Sequence, residues 1–440
     1  MASTDQSKED ERGIVGDSWT NESGITNGAE GREALPKLLR RFWLWSAVAF
    51  GLMLVIGDVE RRMGYPDSHY NPLSFPLFGD LMEYLGTFQW LHTTTFFFNV
   101  SGKPITFPLF SPVTYPPFAV VVLAAIYSGA SPVLLYLEIA AVWLTAVVLG
   151  VRYTLVQYKI GATTALLFPL TLILMSYPIT RLLVEGNLEL LLWILTATGA
   201  WAYLRESDNT AAVLWALAGA MKLYPGILLI LLLPRRRWRS FALGVTTLVG
   251  VTLLSLWWIG PTMGVAWRGW IQILIGFQEE RSTQWNMVQL ASNHSFFSLV
   301  KLGAMLGGLA LGKLMLPYYL CGAVTISWAF FGRLWRMPAI NQLLSVSLFM
   351  VIFPPISYAH ALVQLYAPLL ALLMLAIRAD RTNVSITGLR GTVLLFVPLF
   401  AAYTLFTFRA VLLFDGLVQS VLLLILFGCA LRFPFAINDA

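Results

Sequence analysis

Long apolar stretches of about 17–25 residues follow one another from Arg41 to Arg432, separated by short polar or basic gaps. A hydrocarbon layer is roughly 30 Å thick, and a helix of about twenty apolar residues crosses it. Backbone in lipid must satisfy its own hydrogen bonds, so each crossing stretch is predicted to be helical. Twelve spans are expected, at about 42–57, 112–130, 132–151, 160–177, 181–204, 210–233, 239–259, 315–333, 340–357, 361–378, 391–407 and 411–431. Two longer polar stretches, 58–110 and 261–292, read as outer loops. Each carries an amphipathic piece suited to the interface, Asp80–Leu91 and Trp267–Phe277. The Gly-rich stretch 292–312 reads as a partial or re-entrant segment. The expected fold is thus an all-α polytopic membrane bundle with two long outer loops carrying short interfacial helices.

Composition sharpens that picture. Hydrophobic residues make up 58% of the chain and charged residues 12%, more apolar than a soluble core requires. The net charge of +6 comes from basic gaps such as Lys37–Arg41, Arg235–Arg239 and Arg378–Arg381. Positive flanks stay inside, so this charge points to a membrane orientation rather than to nucleic acid. Both termini are expected in the cytoplasm and both long loops outside. One gap conflicts with simple alternation: Arg152–Lys159 is basic, yet falls outside. If 112–151 crosses an odd number of times, that gap lies inside. The Lys222 segment is then a re-entrant pair of half helices, broken at Pro225. Both routes keep Arg235–Arg239 inside. Residues 1–36 are polar, lack the apolar centre of a secretory signal and read as a disordered cytoplasmic tail. Cys321 and Cys429 lie in apolar segments and form no metal-ligand or disulfide pattern.

Polar residues inside such a chain are expensive, which makes them candidates for chemistry. Asp80, in Phe78-Gly-Asp-Leu-Met-Glu-Tyr84, is either a solvated loop carboxylate or a general base, with Tyr84 one turn on. Tyr115-Pro-Pro117 suits a rigid helix start. Arg181, Glu185, Asn187 and Glu189 fall within nine residues. An Arg181–Glu185 pair at i,i+4 accounts for two of them and leaves the others to line a polar cavity. Lys222 lies far from either end of its apolar stretch, where snorkelling is strained, and a phosphate is a natural ligand for such a cation. Asn293, in Asn293-His-Ser295, ends the second loop and also matches a glycosylation sequon. His360, in Pro354-Pro-Ile-Ser-Tyr-Ala-His360, stands between two spans, either as an interfacial residue or as a hydrogen-bond donor to a leaving phosphate. No nucleotide-binding loop, dinucleotide fingerprint, serine elbow or zinc signature is present in the sequence, which argues against nucleotide-driven transport.

The order of these motifs resembles glycosyltransferase family 87. Asp80-x-x-x-Tyr84, Tyr115-Pro-Pro, Gly186-Asn-Leu-Glu189, Lys222-Leu-Tyr-Pro225, Asn293-x-Ser and Pro355-Ile-Ser-Tyr-x-His360 carry the likeness, over roughly residues 42–375. The family's usual Gly-Gln-x-Asn stands here as Gly186-Asn-Leu-Glu189, and its Trp-x-His-His as Tyr358-Ala-His360-Ala361. The resemblance implies a GT-C-type transmembrane catalytic unit over 37–378, followed by C-terminal helices over 379–440. It implies a polyprenyl-phosphate-sugar donor, typically of mannose, a lipid or glycan acceptor, and transfer on the outer face of a bacterial inner membrane. Asp80 takes the place of the general base. Lys222, His360, Arg181, Glu185, Asn187, Glu189, Tyr84, Tyr115 and Asn293 fall around the donor phosphate and substrate. No metal or further cofactor is expected. The rival reading is a transporter or flippase for a lipid-linked sugar, which predicts internal repeats that the sequence lacks.

Overall fold

A computed structural model describes residues 35–62, 77–83, 88, 91–97, 115–129, 131–283, 293–401 and 412–436. The helices are α1 (Lys37–Arg62), α2 (Gly79–Glu83), α3 (Pro117–Tyr127), α4 (Pro132–Gln157), α5 (Ala162–Leu174), α6 (Tyr177–Glu185), α7 (Glu189–Leu204), α8 (Asp208–Met221), α9 (Trp238–Ile259), α10 (Met263–Thr283), α11 (Phe296–Leu306), α12 (Met315–Gly332), α13 (Ala339–Ile352), α14 (Tyr366–Arg381), α15 (Leu389–Ala401) and α16 (Leu412–Arg432). Two 3₁₀ segments, Tyr224–Leu232 and Ala359–Leu365, stand between α8 and α9 and between α13 and α14. The protein is a polytopic membrane protein, all-helical among the described residues. Among the described residues, five helical stretches are long and apolar enough to cross a bilayer, or six if the bent pair α5–α6 is one span.

The spans expected from the sequence differ in several places. The one placed at 112–130 contains only α3, whose 11 residues rise about 17 Å, short of the hydrocarbon layer. The pair placed at 160–177 and 181–204 is divided elsewhere. α5 and α6 meet at a 61° bend, and the reversal of the chain falls at Gly186–Leu188. Pro178 in the first turn of α6 and the Ser176 cap, whose hydroxyl accepts from Ile179 N at 3.1 Å, start a new helix at the end of the first expected span, and that helix stops at Gly186 inside the second. The stretch 261–292 contains the long helix α10, and 292–312 contains the short α11.

The span expected at 210–233 is a returning hairpin. Asp208 opens α8, and Arg235 follows the 3₁₀ segment that comes after it. Their side chains meet at 3.2 Å, and Arg235 Nη1 also donates to the Tyr203 carbonyl at 2.7 Å. Both ends of 208–235 therefore lie at the same end of the bundle, with Lys222 at the tip. Close approach of the two arms needs glycine: a Cβ on Gly219 would stand 2.9 Å from Gly226 Cα. The Arg152–Lys159 gap joins that basic end as well. Arg381, at the foot of α14, hydrogen-bonds the Tyr158 carbonyl and lies over its ring. The second of the two routes considered for 112–234 is thus the one adopted.

The ends of the bundle differ in charge. Tyr203 bonds Gln342, Gln342 bonds the Leu334 and Met337 carbonyls, and Arg333 bonds the Leu431 carbonyl. These contacts gather the Arg235–Arg239, Arg333–Arg336 and Arg432 clusters at one end. α14 starts beside the charged groups at the other end and runs 16 residues, about 24 Å, to Arg381. The largest apolar core joins α1, α4, α5, α13, α14, α15 and α16, so residues on both sides of position 378 share one interior.

Candidate active site

The end opposite the arginines carries Asp80, Arg181, Glu185, Asn187, Glu189, Lys222 and His360. Each reaches it through a local device. The α6 helix ends at Gly186, whose φ of +67° is the left-handed cap that glycine adopts without strain. The turn before α2 packs directly on this cap. Phe78 N donates to the Val184 carbonyl at 2.7 Å, and a Cβ on Gly186 would come within 2.9 Å of Leu81 Cβ. That contact delivers Asp80, the second residue of α2, to the start of α7. There the buried Asn187 donates from Nδ2 to Asp80 Oδ2 at 2.5 Å, while its Oδ1 accepts from Glu189 N at 2.9 Å. The Tyr136 hydroxyl braces the same turn through the Leu182 and Asn187 carbonyls, at 3.1 and 3.2 Å.

Two ion-paired groups flank this carboxylate. Arg181 Nε donates to Glu185 Oε1 at 2.5 Å, and His360 Nδ1 lies 3.2 Å from Glu185 Oε2. A carboxylate only accepts, so Nδ1 carries the proton in this pair and Nε2 is left for other partners. Deeper in, Glu189 is 1% exposed and fully engaged. Its Oε1 accepts from Lys222 Nζ at 2.6 Å and from the Tyr224 hydroxyl at 2.5 Å, and its Oε2 accepts from Gln364 Nε2 at 2.9 Å. The ammonium of Lys222 also stands 5.4 Å from the Tyr115 ring centroid, a cation–π distance. The hairpin explains what the sequence left strained: Lys222 ends α8 at the charged end of the bundle instead of lying midway along a span.

Of the residues singled out from the sequence, eight converge here: Asp80, Tyr115, Arg181, Glu185, Asn187, Glu189, Lys222 and His360. Tyr84 lies outside the described residues. Asn293 ties two loops together instead. Its Nδ2 donates to the Pro355 carbonyl at 2.9 Å, and its Oδ1 accepts from Ser295 N and Ser357 N. This knot holds the chain just ahead of His360. Within it His294 is fully buried, with Nε2 at 3.0 Å from Ser357 Oγ. Burial, aided by the nearby His360 ring, pushes the His294 pKa down to about 3, so it is neutral. Sequence reading missed Gln364, Tyr224 and Tyr136. Gln364 lies four residues past His360 and Tyr224 two past Lys222, but nothing in their spacing signals a shared carboxylate.

Residues 113–355, more than half of the chain, match the family described as Glycosyltransferase family 87. The chain belongs to glycosyltransferase family 87. It is therefore a membrane glycosyltransferase, with a donor sugar and an acceptor as its substrates, and the family decides for transfer over transport. No curated protein and no solved structure matches it. The family match takes in Tyr115, Arg181 through Glu189, Lys222 and Asn293, and it stops short of both Asp80 and His360. These two enter the cluster through tertiary contacts with matched residues, Asp80 through Asn187 and His360 through Glu185.

Proposed function

We propose that this glycosyltransferase moves a hexose, mannose by family resemblance, from a polyprenyl-phosphate donor to a lipid or glycan acceptor, with inversion and with Asp80 as general base. One observation carries the reading: a carboxylate from the first loop is held by Asn187 beside a partly buried group of cations and hydrogen-bond donors. In the reaction, Asp80 takes the proton of an acceptor hydroxyl as that oxygen bonds to the anomeric carbon. The bond from that carbon to the phosphate oxygen breaks, and the phosphate leaves with one more negative charge.

Arg181, Lys222 and His360 are the groups suited to meet that charge. In this structure three carboxylates outnumber the two permanent cations, and each cation already has a carboxylate partner. The donor phosphate thus competes for Arg181 and Lys222, and the gain comes where charge grows in the transition state. The positive-inside tendency supports a reading in which the basic far end faces the cytoplasm, with both termini, and the site faces outward.

The test is incubation of the purified protein with polyprenyl-phosphate-[labelled mannose] and a native lipid extract. The expected result is a labelled lipid or glycan product, with Asp80→Asn lowering the rate about 10²–10⁴-fold. A near wild-type rate in Asp80→Asn removes it from the role of base, and no product from any polyprenyl-phosphate sugar removes the donor class.

A further inference from the structure

The spans at the edge of the bundle differ in what they present to lipid. Few residues of α1, α4, α9 and α12 are buried. The apolar parts of α1, α9 and α12, at 42–57, 240–259 and 315–332, contain no charged residue. α4 contains two, Glu138 and Arg152, and both are exposed. With Val142, Thr145, Leu149 and Val156 they form one stripe along the helix, spaced alternately by four and three residues, and every member is exposed. The far side of α4, with Tyr136, Ala140, Val151 and Leu155, is the buried one and packs on α5 and α3.

Glu138 stands outside the candidate site. Tyr136 turns inward and binds the Leu182 and Asn187 carbonyls there. Glu138, two residues on, is turned about 200° round the helix and points away. Its Cα lies about 21 Å along the axis from that of Arg152. A hydrocarbon layer of roughly 30 Å that starts at Arg152, in the basic gap, therefore ends about 9 Å beyond Glu138, toward the site end. A long arginine side chain snorkels to its boundary, but a glutamate is too short to follow suit over that distance. Among the described residues no basic side chain forms an ion pair with Glu138. Carboxylates at membrane depth are costly, and they ordinarily face a bundle interior or pair with a cation. The lipid-facing side of α4 offers neither.

We propose that the Glu138 stripe is the docking face for a transmembrane helix of another protein, one that carries a lysine or arginine at the depth of Glu138. Charge complementarity selects this occupant. Two copies of this chain joined along the stripe by a two-fold axis would set Glu138 against Glu138 and Arg152 against Arg152, with like charges facing at both points. A cationic lipid headgroup stays at the water boundary, about 9 Å from Glu138. A helix carries its cation to that depth. Apolar contact between helices gains little in lipid, so close packing and polar pairs decide association, and Thr145 adds a hydroxyl to the same face.

The test uses the full-length protein in nanodiscs with a synthetic Leu/Ala-rich transmembrane peptide. The peptide carries one lysine about six residues from one end, the depth that a rise of 1.5 Å per residue gives for Glu138. The control peptide has methionine at that place, and energy transfer between labels reports association. The lysine peptide should bind about tenfold more tightly than the control. That preference should disappear in Glu138→Leu and shrink in Glu138→Gln, each checked for a wild-type melting temperature. Equal binding of the two peptides overturns the proposal, as does a lysine preference unchanged in both variants. A second measurement places p-benzoylphenylalanine at position 142 in native membranes. A crosslinked transmembrane segment with lysine or arginine in the half nearer the site end supports the proposal. Crosslinks only to phospholipid, to a second copy of the chain or to a helix without such a residue overturn it.

Discussion

Asn187 Nδ2 donates to Asp80 Oδ2 across 2.5 Å, joining residues 107 apart in the chain, while its Oδ1 caps the first turn of α7. One amide thus aims the proposed base and begins the helix that carries Glu189. An amide can do both because it offers a donor and an acceptor at once.

Asn187→Asp separates the two duties. The carboxylate keeps the cap but faces Asp80 as a like charge, and one of the pair then holds its proton to higher pH. The expected outcome is near wild-type thermal stability in detergent, with the acid limb of the transfer rate against pH displaced upward. Asn187→Ala loses the cap as well and costs about 1 kcal/mol of stability. An unshifted acid limb in Asn187→Asp argues against Asp80 as the titrating base.

Gly186 lies under the turn that delivers Asp80, and its φ of +67° leaves no relaxed place for a Cβ. Gly186→Ala strains the left-handed cap by about 1–2 kcal/mol. It also pushes Leu81 and Phe78 away from α6. Transfer should fall more than stability does, because the displaced element carries the carboxylate. Melting temperature and kcat measured on one preparation check this. A variant with unaltered kcat shows that the α2 turn does not position the base.

The buried Lys222–Glu189 pair makes single and double substitutions behave differently. Lys222→Met strands an uncompensated carboxylate at 1% exposure, at an expected cost of about 3–5 kcal/mol. Adding Glu189→Gln removes that charge, so the double variant should recover most of the stability while transfer stays low. Thermal unfolding of the three variants measures the coupling. Simple additivity contradicts the pairing.

The 208–235 hairpin predicts a labelling pattern. In a background with Cys321 and Cys429 replaced by serine, cysteines at Glu206 and Trp238, which bracket the hairpin, should react with an impermeant maleimide from the same face of the membrane. A cysteine at Gly79 should react from the opposite face. Labelling of 206 and 238 from opposite faces restores a single crossing.

The all-helical, membrane-spanning character of the chain was legible in its sequence, because apolar length and the demand for internal backbone hydrogen bonds leave no other solution. The candidate site residues were legible for the same reason: Arg181, Glu185, Asn187, Glu189 and Lys222 are costly in an apolar setting and stand out against it. Their relationships were not. Sequence offered a phosphate as the partner of Lys222, whereas the folded chain sets Glu189 against it. It left 210–233 open between a crossing and a re-entrant pair of half helices, because hydropathy is blind to direction. Only the Asp208–Arg235 contact shows that the chain turns back. Asn293 carried the same polar signal as Asn187, yet one ties loops and the other holds the proposed base. A polar residue among apolar ones announces that its groups must be satisfied, and that demand is local. Which partner satisfies them depends on how helices bend at Ser176, reverse at Gly186 and return past Gly219, and those choices exist only in the packed bundle.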